Sequence, residues 1–273
     1  MGNGYIKGVI MISVKQVSKI YKVKQQAETK SILKSLFKCE YKQVKAVENI
    51  SFDIKQGDMV GLIGLNGAGK TTTLKMLSGL IYPSAGELQV NGFTPCELKK
   101  EFLRQIGLIM GNKSQLWWDV SSYDSFELEG QIYQLDRNTI KKRVNQLSEL
   151  LDVNHLLRTP VRKLSLGERM KMEFILVLLH EPSILFMDEP TIGLDIISQK
   201  KLRDFIKEYY YKHQSTMILT SHNMKDVEEL CDRIIVINRG AIIYDGSIRE
   251  LKEYGKEDDF EKTITKLLER REI

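Results

Sequence analysis

The sequence predicts an α/β fold: a mostly parallel central sheet with helices on both faces and a helical subdomain inserted into it. Three observations predict this. Short apolar, strand-like segments alternate with helical ones along most of the chain. One of them, Val60 to Ile63, runs straight into a glycine-rich turn and then a helix. From about Ser121 to Leu157 the pattern is almost wholly helical, with no strand signal.

A chain of 273 residues holds one large α/β domain or two small ones with an ample core. Its 42% hydrophobic and 28% charged residues suit a soluble, globular protein. The longest apolar run, Phe174 to Leu179, is too short to cross a bilayer, and no stretch has the order of a signal peptide. Cys39, Cys96 and Cys231 are scattered and odd in number, which predicts neither disulfides nor zinc and places the chain in a reducing compartment. A net charge of +5 permits contact with anionic lipid or nucleic acid but argues for neither.

Residues 1–10 are glycine-rich and read as an extension. Met11 to Val23 alternates as a strand does, with Ile12, Val14 and Val17 on one face. Ala46 to Ile54 is a second strand, and Gln56-Gly57-Asp58 turns the chain into Val60. Between these strands, about Gln25 to Lys45, apolar Ile32, Leu33, Leu36, Phe37, Tyr41 and Val44 recur at helical spacing, with Lys30, Lys34, Lys38 and Lys42 on another face. That is a basic amphipathic helix, which either lies on a membrane surface or packs its apolar side on the domain. Further on, Gly86 to Gly92 is a strand, Pro95 to Arg104 a helix and Gln105 to Met110 a strand. Ser165 opens an apolar helix and Ser183 to Met187 is a buried strand. Helices over Ser198 to His213 and Met224 to Cys231 flank the strand Thr216 to Thr220, and Arg233 to Ile237 is the last strand. The tail, residues 251–273, is helical. Phe260, Ile264, Leu267 and Leu268 share one stripe that is expected to dock lightly.

The glycine-rich turn carries the pattern G-x-x-x-x-G-K-[ST], matched by Gly64, Gly69, Lys70 and Thr71. Glycines let the backbone curl so that several N–H groups converge on phosphate oxygens, aided by the positive end of the following helix. Lys70 can neutralise terminal phosphates, and Thr71 can offer a hydroxyl to Mg²⁺. This is a nucleotide phosphate site. Asp188 and Glu189 end a buried strand, where an open α/β sheet places its ligands. Asp188 suits Mg²⁺; Glu189 suits a base that orients and deprotonates a water attacking the γ-phosphate. Two further segments are ambiguous on local grounds. Ser165 and Glu168 have the spacing of a capping box, which starts a helix, yet Ser165, Gly167 and free N–H groups at that N-terminus also make an anion site. His222, just after a strand, is either structural or within reach of a γ-phosphate.

In this order the segments resemble the nucleotide-binding subunit of ATP-binding cassette (ABC) transporters, over about Met11 to Gly246. The resemblance implies a P-loop NTPase domain over residues 11–250, with an antiparallel β-subdomain and a helical subdomain at about 112–165. Gly64 to Thr72 is similar to the Walker A motif, which makes Gly64, Asn66, Gly67, Ala68, Gly69, Lys70, Thr71 and Thr72 nucleotide contacts. Ile184 to Glu189 is similar to Walker B with its catalytic glutamate, Leu164 to Glu168 to the family signature, Ile192 to Asp195 to the D-loop, and His222 to the switch histidine. Tyr21 matches the aromatic residue that stacks on adenine. The implied cofactors are ATP and Mg²⁺. The implied partners are a second ATPase subunit, met head to tail so that the signature helix closes on the other chain's ATP, and a membrane permease at the cytoplasmic face of the cell membrane.

The chain departs from the pattern twice. Leu166 and Glu168 replace the Gly and Gln of Leu-Ser-Gly-Gly-Gln, which still suits a helix N-terminus. Asn112 stands where a glutamine usually contacts Mg²⁺ or the attacking water, with Gln115 a nearby substitute. The segment Gln115-Leu-Trp-Trp-Asp119, the variant signature and the basic insertion are similar to the daunorubicin-resistance and viologen-exporter subgroup, whose separate permease is of the ABC-2 class. Export of a drug-like or other hydrophobic compound follows from that resemblance. The competing readings are a soluble ABC-type ATPase acting on nucleic acid or ribosomes, disfavoured by the single cassette and the lack of a long heptad run, and a cassette that binds ATP without turning it over.

Overall fold

The computed structural model describes residues 8–24, 41–255 and 259–269, with only the backbone given for 254 and 255. Two sheets organise it. β1 (Ile10–Lys24), β2 (Tyr41–Lys55) and β4 (Ala85–Val90) form an antiparallel sheet in the order β2-β1-β4. β3 (Met59–Ile63), β5 (Ile106–Met110), β6 (Ile184–Asp188), β7 (Thr216–Thr220), β8 (Arg233–Asn238) and β9 (Ala241–Ser247) form the central sheet in the order β5-β6-β7-β3-β8-β9. All its pairings are parallel except β8 with β9.

Both faces of the central strands are covered, as their continuous apolar character requires. Alternation sends Val60 and Leu62, Ile184 and Phe186, and Ile218 into a core shared with the antiparallel sheet and with α1 (Lys70–Leu77). The intervening Met59 and Ile63, Leu185 and Met187, and Met217 and Leu219 enter a second core. There they meet α5 (Leu166–Leu178), α6 (Ile196–His213) and α7 (Met224–Leu230), numbered after the short α2 (Lys100–Leu103), α3 (Ser122–Ile132) and α4 (Arg137–Leu150). Helices α3 and α4 lie in the stretch read as a helical insertion. Ser121 starts α3 with a capping box and Asp136 caps α4. Phe126, Ile140, Val144 and Leu147 then tie both to the second core.

Four sequence readings change. Residues 41–45, assigned to the basic helix, extend β2 instead: Tyr41 pairs with Lys24 and Val44 with Tyr21, so β-sheet hydrogen bonding overrides the helical spacing. The rest of that helix, from Gln25 to Glu40, lies outside the described residues. Pro95 to Arg104 is broken by Leu98, at φ +50°, into a 3-10 turn (Pro95–Glu97) and the single turn α2. β9 follows β8 through the tight turn Arg239-Gly240, both with positive φ, and was not foreseen. After α8 (Ile248–Gly255), α9 (Phe260–Glu269) packs firmly rather than lightly: Phe260, Ile264 and Leu268 are buried in the second core. Among the described residues no helix is long and apolar enough to cross a membrane.

Candidate nucleotide site

Sheet register brings the chemistry together. Leu62 pairs with Thr220, Thr220 with Asp188, and Asp188 with Met110, so the four strands end level with one another. Parallel strands release their next residues at the same edge. Gly64, Ser221–His222, Glu189 and Gly111–Asn112 therefore emerge side by side, although up to about 160 residues separate them in sequence.

The loop from Gly64 to Gly69 is built by steric exclusion. A Cβ on Gly64 would stand 2.1 Å from the Ile237 carbonyl oxygen, and one on Gly69, at φ +114°, would stand 2.5 Å from that of Ala46. Only glycine permits this closeness. The Ala68 carbonyl accepts from Gly240 N (2.9 Å), which ties the loop to the β8–β9 turn. Lys70 Nζ donates to the carbonyls of Gly64 (2.7 Å) and Leu65 (3.1 Å), spanning the loop from within. Burial holds the Lys70 ammonium below the usual lysine value, while Glu189 and Asp188 pull the other way. Thr72 is half-buried on the first turn of α1, and Asn66 and Gly67 lie exposed at the loop's rim.

Asp188 Oδ1 accepts from Thr71 Oγ1 (3.0 Å) and Thr220 Oγ1 (2.7 Å), so the expected Mg²⁺ pair, Thr71 and Asp188, is in direct contact. A hydroxyl and a carboxylate side by side are oxygen donors of the kind Mg²⁺ takes. Glu189 has φ +53°, unusual for a residue with a side chain. Its N–H donates to Thr220 O (3.0 Å) and Thr220 Oγ1 (3.1 Å), which holds it there. Gly111 crosses so close that a Cβ would be 2.0 Å from the Glu189 carbonyl oxygen. The Glu189 side chain then meets His222: Nε2 to Oε1 is 2.6 Å. The lone histidine of the sequence reading is thus paired with the expected base.

Other expected residues lie further out. Asn112 is exposed just beyond β5, next to Gly111, whose N–H donates to Asp188 O (2.9 Å). The Gln115 amide donates to Leu108 O (2.7 Å), and its backbone N–H donates to buried Glu173 (2.8 Å). Tyr21 is half-buried on β1, opposite Val44 and so near Ala46, with Lys19 Nζ 5.3 Å from its ring centre. Ser165 forms the capping box its spacing predicts. Its Oγ accepts from Glu168 N (3.3 Å), and Glu168 Oε2 accepts from Ser165 N (2.8 Å), which pulls the Glu168 carboxyl below its usual range. Gly167 lies against the start of α6, 3.2 Å from Ser198 Oγ if a Cβ is added. Asp195 caps α6, accepting from the N–H groups of Ile197 and Ser198 (both 3.0 Å). Replacing Ser165 with alanine is expected to cost about 1 kcal/mol in urea unfolding, and Ser165→Thr to restore it.

Sequence reasoning overlooked Thr220, the second hydroxyl on Asp188; its place at the strand end beside His222 was the available signal.

A family model described as "ABC transporter" matches residues 47–192. The chain is 36% identical over 223 residues to the ABC transporter ATP-binding protein NatA of Bacillus subtilis (strain 168), covering 82% of this chain and 90% of NatA. It is 32% identical over 213 residues to the bacitracin transport ATP-binding protein BcrA of Bacillus licheniformis, covering 78% of this chain and 68% of BcrA. Its fold is similar to that of the ATP-binding cassette MJ0796, solved as a dimer in a post-hydrolysis state bound to ADP and Pi: TM-score 0.72, 21% identity, covering 87% of this chain and 98% of the other. The family match and the identity to NatA place the chain in the ABC transporter family, as an ATP-hydrolysing, ATP-binding subunit.

Proposed function

We propose that the chain powers export of a drug-like or other hydrophobic compound through a separate permease of the ABC-2 class, at the cytoplasmic face of the cell membrane. The observation that carries the energetic half is the convergence of Lys70, Asp188, Glu189 and His222 at one sheet edge. The relative BcrA is a bacitracin transport ATP-binding protein, which supports the cargo class.

In this reading the loop N–H groups and Lys70 hold the β- and γ-phosphates, with Asn66, Gly67, Ala68 and Thr72 completing the cradle, and Tyr21 stacks on adenine. Thr71, Asp188 and Asn112 would hold Mg²⁺, which supplies charge neutralisation on the phosphates. Glu189 orients and deprotonates the attacking water, and His222 fixes the Glu189 carboxylate and faces the γ-phosphate. Ser165, Gly167 and Glu168 of a second, identical chain close on the same ATP, and Asp195 lies at that seam. Closure on ATP and reopening after hydrolysis would then move the permease.

Purification of the chain from its own membranes tests this. A polytopic membrane protein should co-purify, and nucleic acid should leave ATP turnover unchanged. ATP turnover stimulated by nucleic acid or ribosomes, with no such partner, would overturn it.

A further inference from the structure

The structure holds a buried polar cluster that the site does not use directly. Asp226, on α7, is fully buried, and Arg203, on α6, is only 3% exposed. Arg203 Nη1 donates to Asp226 Oδ1 (2.8 Å), and its Nε to Glu229 Oε2 (2.9 Å). Asp226 Oδ2 accepts two hydroxyls from outside α7: Ser221 Oγ (2.9 Å) and Thr191 Oγ1. Both hydroxyl residues are buried.

The positions of those two hydroxyls matter. Thr191 lies two residues after Glu189, and Ser221 immediately precedes His222. One carboxylate oxygen therefore clasps the chain beside each member of the Glu189–His222 pair. A second tie joins the same segments: Asn223 Nδ2 donates to Gln199 Oε1 (3.2 Å), and Gln199 Nε2 to Thr191 O (3.4 Å). A buried ion pair adds little to stability compared with apolar packing of the same volume. Its effect here is geometric, because the charge is satisfied by Arg203 while Oδ2 is left to the two hydroxyls.

We propose that Asp226 is a positioning residue for ATP hydrolysis, acting through Thr191 and Ser221 to hold Glu189 and His222 at their 2.6 Å contact. It touches neither the nucleotide nor the water. The inference rests on the roles given above to Glu189 and His222.

The test uses the hydroxyls rather than the ion pair, in the full chain with MgATP. Thr191→Val keeps the volume and removes the hydroxyl; Thr191→Ser keeps the hydroxyl and removes a methyl. We expect Thr191→Val and Ser221→Ala each to lower kcat about tenfold with KM for ATP changed less than twofold, and Thr191→Ser to retain wild-type kcat. In a His222→Ala background, Thr191→Val should cost less than it does in the wild-type chain, because part of what it positions is already gone. If Thr191→Ser is as impaired as Thr191→Val, or if the losses multiply in the His222→Ala background, the clasp is packing and the proposal fails. His222→Ala alone reports separately on the underlying reading: unchanged kcat there removes the role given to His222, whatever the Thr191 variants do. Circular dichroism melts of each variant confirm that the chains compared are folded.

Discussion

Lys70→Ala is expected to lower ATP turnover at least about 100-fold, the loss typical of removing one fixed positive donor from a charge-stabilising site. The geometry explains why compensation fails. Lys70 is almost fully buried at the start of α1, and its Nζ already holds the carbonyls of Gly64 and Leu65. Alanine therefore removes the cation and also leaves the loop without its internal brace. Nearby Thr71 and Thr72 carry hydroxyls, not charge, and cannot replace it. Phosphate release under saturating ATP measures turnover, and calorimetric titration with ATP measures the accompanying loss of affinity. Retention of more than a tenth of wild-type turnover would contradict the role assigned to Lys70.

Glu189→Gln should be as severe for turnover and opposite for binding. Glutamine preserves the volume at φ +53° and can still meet His222. It cannot take a proton from water. Turnover is expected to fall about 100-fold or more while ATP is still bound, because Lys70, Thr71 and Asp188 remain in place. If Glu189→Gln turned ATP over within a few-fold of wild type, the base would have to be another group, and His222 is the nearest.

How much of this was legible beforehand follows from what each signal reports. The central strands declare themselves because burial on both faces calls for a continuous apolar run, as in the Ile184 to Met187 part of Ile184–Asp188 and the Met217 to Leu219 part of Thr216–Thr220. The phosphate loop is legible because its constraints are local, with glycines where any Cβ would strike backbone. The capping box at Ser165 is local too and appears as its spacing predicts. β9 escaped notice because it is half-exposed along nearly its whole length and follows an Arg-Gly turn, a weaker hairpin signal than Asn-Gly. Tyr41 and Val44 misled because a three-residue step is shared by a helix face and by chance in a strand, and only the partner strand decides. The clasp on Asp226 was invisible for a different reason. In sequence, Arg203 and Asp226 look like ordinary charges on the polar faces of two helices, 23 residues apart. Their burial depends on how α6 and α7 pack, which no local pattern encodes.

Ser165, Glu168 and Asp195 satisfy their own helix ends, through bonds from Glu168, Ile197 and Ser198. Ile192, Ile196 and Ile197, in and just after the segment similar to the D-loop, are exposed. An arrangement of that kind suits a surface that meets a second cassette around shared ATP.

The most direct test is therefore the mass of the Glu189→Gln chain in solution by light scattering, with and without ATP. A single-chain mass is expected without nucleotide and twice that mass at saturating ATP, reverting when Lys70→Ala is added. A single-chain mass at saturating ATP, with ATP shown to be bound, would contradict it.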